Sequence, residues 1–506
     1  MSSLHTSSNP VTQARGARRW LVLAIVSVAL LLIVIDMTVL YTALPRLTHD
    51  LAATASAKLW IVNAYALVVS GLLLGMGTLG DRLGHKRLFL AGLAVFGVAS
   101  LAAAFAPDAE ILIAARAFLG VGAAMMMPAT LSLIRLTFTD AHEQALAIGI
   151  WASVASGGAA FGPIVGGALL EHFWWGSVFL INVPIVLVAI PLAWWLIPKG
   201  GATTTQPWDW YGSLLFMVGL IGVTYAIKSA GKMTPDWATV GIALVVGAAF
   251  LWAFVRRQQR SAHPLLDFTL FRNPAFAGAV AAALMAAAAL IGMQLVFSQR
   301  LQLVLGYTPL EAGWANMPLS LAAFVAGPIA GRLLPRMGST RLLPIALTMS
   351  AAGMAGYLFF RDMGLTLSIL SLATLGLGVG ATMTAASSTI MQSAPPERAG
   401  MAASVEEVSY ELGGALGVTF MGSLLTFVYG RAMHVPQTAA LPEVVRDSLD
   451  EAQLVAEHLP APLADSLTSL ANTAFNQGFN AVIGAGALLL FATAVWGCWH
   501  ARARER

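Results

Sequence analysis

Gly77-Thr-Leu-Gly-Asp81-Arg82-Leu-Gly84-His-Lys-Arg87-Leu88 returns 254 residues later as Gly331-Arg-Leu-Leu-Pro335-Arg336-Met-Gly338-Ser-Thr-Arg341-Leu342, with Gly77, Arg82, Gly84, Arg87 and Leu88 all repeated. Two further echoes keep almost the same offset. Leu119-Gly120-Val121-Gly122-Ala123 recurs as Leu377-Gly378-Val379-Gly380-Ala381, and Gly157-Gly158-Ala159 as Gly413-Gly414-Ala415. Matches at nearly one spacing predict a chain built from two homologous halves. Internal duplication of this kind marks transporter folds whose site lies between the halves.

Outward from these repeats the chain is apolar. Of its 506 residues 58% are hydrophobic and only 10% charged, against about 25% charged in soluble domains, and the mean hydropathy is +0.77. Runs of about 20 apolar residues can cross a bilayer as helices. Fourteen are expected, near 20–44, 58–78, 88–106, 110–134, 144–170, 176–197, 210–228, 237–256, 275–298, 309–332, 341–360, 364–390, 400–428 and 477–499. The runs are continuous and lack period-2 alternation, which favours helices over barrel strands. The first follows Arg15, Arg18 and Arg19 without a cleavage site, so a retained helix is expected rather than a signal peptide.

The two copies of the loop sequence stand eight spans apart. Six-helix halves therefore leave two inserted helices, and the expected division is 1–199, 200–260 and 261–506. With both termini on one side, nineteen Lys and Arg fall on that side and eight on the other, which makes it cytoplasmic. The opposite side carries an acidic segment, 431–476, in which Leu449, Leu454, Leu459 and Leu463 suggest short amphipathic helices over the outer mouth. Lys86 and Arg87, with Arg82, are expected to face the cytoplasm.

Several function classes are excluded. One cysteine, Cys498, allows neither an internal disulfide nor a Cys-based metal cluster. The nine His are scattered, no Walker loop or nucleophile elbow is visible, and a net charge of +4 does not suggest nucleic acid. No cofactor, no metal and no enzymatic chemistry are expected.

The polar residues inside the spans carry the candidate chemistry. Asp36 in span 1 sits where a carboxylate costs about 2.5–3.5 kcal/mol, so it needs a cavity or a partner and is suited to carrying a proton. A structural pair with Arg116 of span 4 is the other reading, and Arg116 itself is open between structural and proton-handling roles. Span 13 holds Glu406, Glu407 and Glu411 within six residues, and three carboxylates in a dry site do not all stay ionised. That group suits both proton coupling and attraction of a cation. In span 5, Gly158, Gly162, Gly166 and Gly167 around Pro163 allow close helix contact and a bend. In the loop after span 2, Gly77 and Gly84 permit a tight turn, and Asp81 is expected to pair with a cationic neighbour at a helix end. Tyr65, Met126, Trp151 and Tyr410 are candidate cavity walls, through cation–π attraction and adaptable packing. Glu311 reads as a helix-start residue.

The loop sequence Gly77–Arg87, Gly158–Gly167, Asp36 and its surroundings, Arg116 and Trp175-Gly176-Ser177-Val178-Phe179-Leu180-Ile181-Asn182-Val183-Pro184 together resemble the major facilitator superfamily. The chain is similar to its fourteen-helix drug:H+ antiporter family, and within it to SmvA- and QacA-type pumps for methyl viologen and quaternary ammonium compounds. The resemblance implies an all-α polytopic membrane protein of the major facilitator fold, with two pseudo-symmetric six-helix halves and two inserted helices. It implies that Gly77, Asp81, Arg82, Gly84 and Arg87 stabilise one state of the cycle, with Pro335 replacing Asp81 in a degenerate second copy. It further implies that Gly158–Gly167 is an antiporter motif and that Asp36 and Arg116 serve proton transfer. The expected activity is proton-driven efflux of lipophilic mono- and dicationic compounds, including dyes and biguanides, by a monomer in a bacterial inner membrane. Export of a metabolite or amino acid, or a sensor role, stays open.

Overall fold

The computed structural model describes residues 10–53, 55–198, 209–230, 235–261, 264–433, 442–446 and 448–502. Those residues are helical almost throughout and contain no strand. Fourteen long helices follow one another: α1 (Pro10–Asp50), α2 (Ala55–Leu83), α3 (His85–Ala104), α4 (Ala109–Thr137), α5 (Ala141–His172), α6 (Ser177–Leu180 and Asn182–Leu196), α7 (Trp210–Ala230), α8 (Trp237–Arg260), α9 (Pro274–Gln299), α10 (Pro309–Met337), α11 (Ser339–Phe360), α12 (Leu365–Ser393), α13 (Ala399–Ala432) and α14 (Ala461–Arg502). All except α5 contain a stretch long and apolar enough to cross a membrane among the described residues. The 32-residue α5 packs between α1 and α10.

The helix ends are set by local chemistry. Asp108, Asp140, Asp236 and Asn273 each accept backbone N–H bonds at the start of α4, α5, α8 and α9, as capping residues do. Thr308 and Glu311 form a reciprocal capping box at α10. The break in α6 falls at Ile181, three residues before Pro184. Proline cannot donate to the carbonyl of residue 180, so one rung of the ladder is missing. Gly84 and Gly338 occupy the same position in the two copies of the repeated turn, opening α3 and α11. Both have positive φ, 92° and 74°, a conformation that costs a residue with a Cβ.

Helices α1–α6 and α9–α14 form two six-helix bundles, and α7 packs with α8 along α2. The bundles meet through α2 against α13 and α5 against α10. These seams are tightest toward the face carrying the repeated turns, here called the arginine-rich face. On α2, Gly77 leaves no room for a Cβ beside Gly400 and Ser404 of α13. On α5, Gly149 abuts Gly327 of α10, Ala145 abuts Gly331, and Ser153 donates to the Phe324 carbonyl.

Two features differ from expectation. The last helix begins at Ala461, not near 477, so the outer connection is shorter than 431–476. Leu467, Ala471, Ala474, Phe475 and Phe479 form a buried stripe, and Arg300 of the turn after α9 donates to Asn476 at 3.0 Å. This segment is too polar to read as a lipid span, yet its helical period is intact. Before it lie a 3-10 turn, Glu443–Arg446, and a short helix, Leu449–Ala456, and the Tyr429 hydroxyl donates its single proton toward the Val445 and Ser448 carbonyls, 3.0 and 3.1 Å away. Asp447, Lys199, Lys232, Arg504 and Arg506 lie outside the described residues, as does the Cys498 side chain.

Lys86 is the second difference. It does not face solvent: its Nζ donates to the carbonyls of Trp194 and Ile197, both at 2.6 Å. Arg18 donates to the neighbouring carbonyls of Leu196 and Trp195. The end of α6 has orphan carbonyls, and two cations satisfy them.

Candidate functional site

Asp36 lies in a fully buried polar cluster inside the first bundle. Arg116 Nη1 of α4 donates to its Oδ2 at 2.6 Å, with Arg116 2% and Asp36 0% exposed. Asn182 of α6 donates to the other oxygen at 3.4 Å and to Ser100 of α3 at 3.2 Å. Arg116 also donates to the Ile61 carbonyl of α2, and its guanidinium lies 4.6 Å from the Tyr65 ring centroid. Five helices thus converge on one ion pair. Asp36 is paired with Arg116, an arrangement compatible with both a structural and a proton-handling role. A buried charge with an uncompensated partner is costly, so this pair fixes how α1 and α4 sit.

The carboxylates of α13 have a different environment. Ser387 of α12 donates to Glu406, which is 0% exposed and whose other oxygen has no hydrogen-bond partner. Glu407 is 5% exposed, and its Oε1 is likewise buried without a partner. Neither makes an ion pair among the described residues. Glu411 is half-buried and accepts from Ser70 of α2 at 3.3 Å. Its i,i+4 partner Glu407 shares its helix face. At 1.5 Å per residue, Glu406 is about 10 Å and Glu411 about 18 Å along α13 from its start at the arginine-rich face. The arrangement holds negative charge or protons, and the Ser387 and Ser70 hydroxyls donate to it.

The sequence motif at the end of α2 closes the arginine-rich face. Asp81 accepts from the backbone N–H groups of Gly400 at 2.9 Å and Met401 at 3.1 Å, the first turn of α13. Its partner is therefore a helix N-terminus, whose partial positive charge favours a carboxylate. His85 completes the site, its Nε2 3.0 Å from Asp81 Oδ1. Ser404 donates to the Leu73 carbonyl at 2.8 Å, and Arg135 of α4 donates to the Ala394 carbonyl. Arg82 and Arg87 are exposed on this face. Pro335, in the place of Asp81 in the second copy, leaves no equivalent acceptor.

In α5, Gly158 packs against Leu31 and Val34, and Gly162 against Thr38. There α1 and α5 approach too closely for any side chain. Gly166 is buried, whereas Gly167 faces open space, so the close contact ends before it. The Pro163 side chain lies outside the described residues. Two candidate wall residues are placed elsewhere. Met126 is 0% exposed and fills the space above Gly92 of α3. Trp151 donates to Thr130 of α4 at 3.1 Å, inside the first bundle. Both are bulky groups absorbed by packing around small neighbours. Tyr65 is buried and Tyr410 half-buried beside the two acidic clusters. Asn182, Ser100, Ser387, Ser70 and His85 were not singled out from the sequence. Asn182 and Ser100 had a signal, as polar side chains in otherwise apolar runs; the serines next to the acids did not.

Comparison with known proteins agrees with this architecture. The model of the Major Facilitator Superfamily matches residues 26–418. The "Multidrug efflux pump LfrA" of Mycolicibacterium smegmatis is 42% identical over 500 residues, covering 96% of this chain and 97% of that protein. The "Methyl viologen resistance protein SmvA" of Salmonella typhimurium is 37% identical over 498 residues, covering 97% and 99%. Among solved structures, the human organic anion transporter MFSD10 (TETRAN) superposes with a TM-score of 0.63 at 12% identity, covering 95% of this chain and 99% of that one. That last likeness concerns the fold alone.

Proposed function

The chain belongs to the Major Facilitator Superfamily, a multi-pass membrane transporter and not an enzyme, and from that premise we propose that it is a proton-coupled efflux antiporter for lipophilic organic cations. Quaternary ammonium compounds, methyl viologen, cationic dyes and biguanides are the substrate class. The arginine-rich face is cytoplasmic, the membrane is the bacterial inner membrane, and the working unit is a monomer. Residues 1–199 and 261–506 rock against each other, with 200–260 as inserted helices.

The observation that carries this reading is the pair Glu406 and Glu407, buried in α13 without a cationic partner among the described residues. Asp36 has its arginine; these two carboxylates have only a hydroxyl between them. Such a site is neutral when protonated and attracts a cation when it is not, so protons and organic cations exclude each other there. The seams tight at the arginine-rich face close the site to that side, and in the proposed cycle protons enter and the cation leaves from the other. Asp81 on the α13 N-terminus holds that state. Tyr410 and Glu411 extend the site along α13, and Tyr65 stands between it and Arg116.

The test is efflux of ethidium and of methyl viologen from proteoliposomes under an imposed pH gradient. Wild type exports both, and Glu407→Gln loses about a hundredfold or more of the proton-driven rate, the size of effect of removing one proton-handling group. A wild-type protein that moves no organic cation under any gradient sinks the proposal.

A further inference from the structure

A crevice of about 290 Å³ lies between α9, α11 and α14 at the arginine-rich face, with Phe271, Gly278, Thr340, Pro344, Thr493 and Trp496 in its wall. In the first bundle the equivalent corner is crossed by long cationic side chains: Lys86 and Arg18 run to the end of α6. The repeat places Thr340 where the first half has Lys86, so the long cationic stem is missing. Nor does this corner need a cation. Helix α14 runs on to Arg502, and the carbonyls near Thr493 are bonded along their own helix rather than orphaned. Among the described residues no charged side chain lines the crevice. A side chain added at Gly278 would meet nothing within 4 Å.

Neighbouring side chains show which medium the crevice adjoins. Leu488, Phe491 and Val495 of α14 and Ile345 of α11 point outward and are exposed, as lipid-facing residues are in a membrane helix. Two arginines adjoin lining residues of the crevice in sequence. Arg272 follows Phe271 and Arg341 follows Thr340; both are exposed and make no ion pair among the described residues.

We infer that this crevice binds one anionic phospholipid, its acyl chain between α9, α11 and α14 and its phosphate on Arg272 and Arg341. A tail gains little by leaving the bilayer for another apolar wall, so the headgroup decides which lipid stays. The inserted tail replaces the stem that the first bundle supplies from Lys86. The site is separate from the carboxylates of α13, and its test does not depend on transport.

The experiment is native mass spectrometry of the full chain in detergent, after incubation with phosphatidylglycerol and phosphatidylcholine of equal chain length. Wild type retains one phosphatidylglycerol, with a preference over phosphatidylcholine on the order of tenfold for two basic residues at the surface. Gly278→Phe, which fills the crevice, loses the adduct. Thr340→Lys, which restores the arrangement of the first half, loses it as well and covers the case in which Gly278→Phe fails to fold. Arg272→Gln with Arg341→Gln keeps a lipid but no longer prefers the anionic one. Phosphatidylglycerol carrying a photoreactive acyl chain labels peptides that contain Pro274–Ala282 or Thr493–Gly497. Equal retention of both lipids by wild type overturns the proposal. So does unchanged retention in both crevice variants, or labelling confined to other helices. A dimer that falls apart on Gly278→Phe assigns the crevice to a second copy and overturns it too.

Discussion

Acidic residues buried in one membrane protein need not do one job. Asp36 and Glu407 differ in their partners: one has a guanidinium at 2.6 Å and an amide, the other a buried oxygen with nothing to bond. Asp36→Asn therefore leaves Arg116 as an uncompensated buried charge, and a loss of about 3 kcal/mol or more of stability is expected. Glu407→Gln removes a carboxylate that has no counter-ion, so its unfolding temperature should match or exceed that of wild type while proton-driven export fails. Thermal unfolding of both variants in one detergent separates the two cases, and equal destabilisation refutes the distinction. Gly84 and Gly338 make a second residue-scale pair. Alanine at either one meets a positive φ and should cost about 1–2 kcal/mol, visible in the same melts, although only Gly84 adjoins the Asp81 contact.

Helix α2 is the element that touches everything of interest. Its Ile61 carbonyl and Tyr65 ring hold Arg116. One turn later Ser70 reaches Glu411, and then Leu73, Gly77 and Asp81 meet the first turns of α13. A rigid helix that contacts both acidic clusters and the closed face is suited to carry a change from one to the other. Asp81→Asn weakens its hold on the α13 amides. We expect a cysteine at Ser404 to react with aqueous maleimide about tenfold faster in that variant, since charge-assisted bonds to a helix terminus are among the stronger ones; unchanged reactivity means Asp81 does not hold the face shut. The same face has a second tie, from Asp267 before α9 to Arg398 before α13. Burial opposes ionisation of Asp267, but hydrogen bonds from Thr269 and the Arg398 guanidinium outweigh it and hold the carboxyl below the usual range. Its stabilisation is therefore complete above the unfolded value of about 3.9 and is lost only as pH falls through the lower folded value. Asp267→Asn should lower the unfolding temperature by the same amount at pH 8 and at pH 5. A difference that shrinks between those values would mean that Asp267 titrates there instead.

For the whole molecule, the two bundles share seams that are tight at one face, and transport requires those seams to part. A cysteine pair at Leu73 and Ser404, placed in Cys498→Ser protein, joins α2 to α13 where they already touch. Bridging it with a short dithiol reagent should reduce cation export to roughly the protein-free leak, with recovery on reduction, because the whole cycle depends on one rigid-body motion. Substrate binding from the opposite face should survive the bridge. Full export with the bridge in place would show that the seam stays closed through the cycle.

Sequence alone determined the membrane class, the duplication, the two inserted helices and the charged residues that lie inside apolar spans. Each follows from a local or periodic signal: apolar length, a repeated turn, a carboxylate inside a hydrophobic run. Tertiary structure alone decided which charges meet. Arg116 stands eighty residues from Asp36, and Asn182 a further sixty-six beyond it, so nothing in the chain order pairs them. The same holds for Lys86, which reads as a loop cation and is instead consumed by the carbonyls of α6. Met126 and Trp151 have the composition of a binding surface, yet the glycine and threonine across from them take up their bulk. The start of α14 was missed because polar residues between Ala461 and Asn476 mask an intact helical stripe. Hydropathy sums over all faces of a helix, whereas folding buries only one of them.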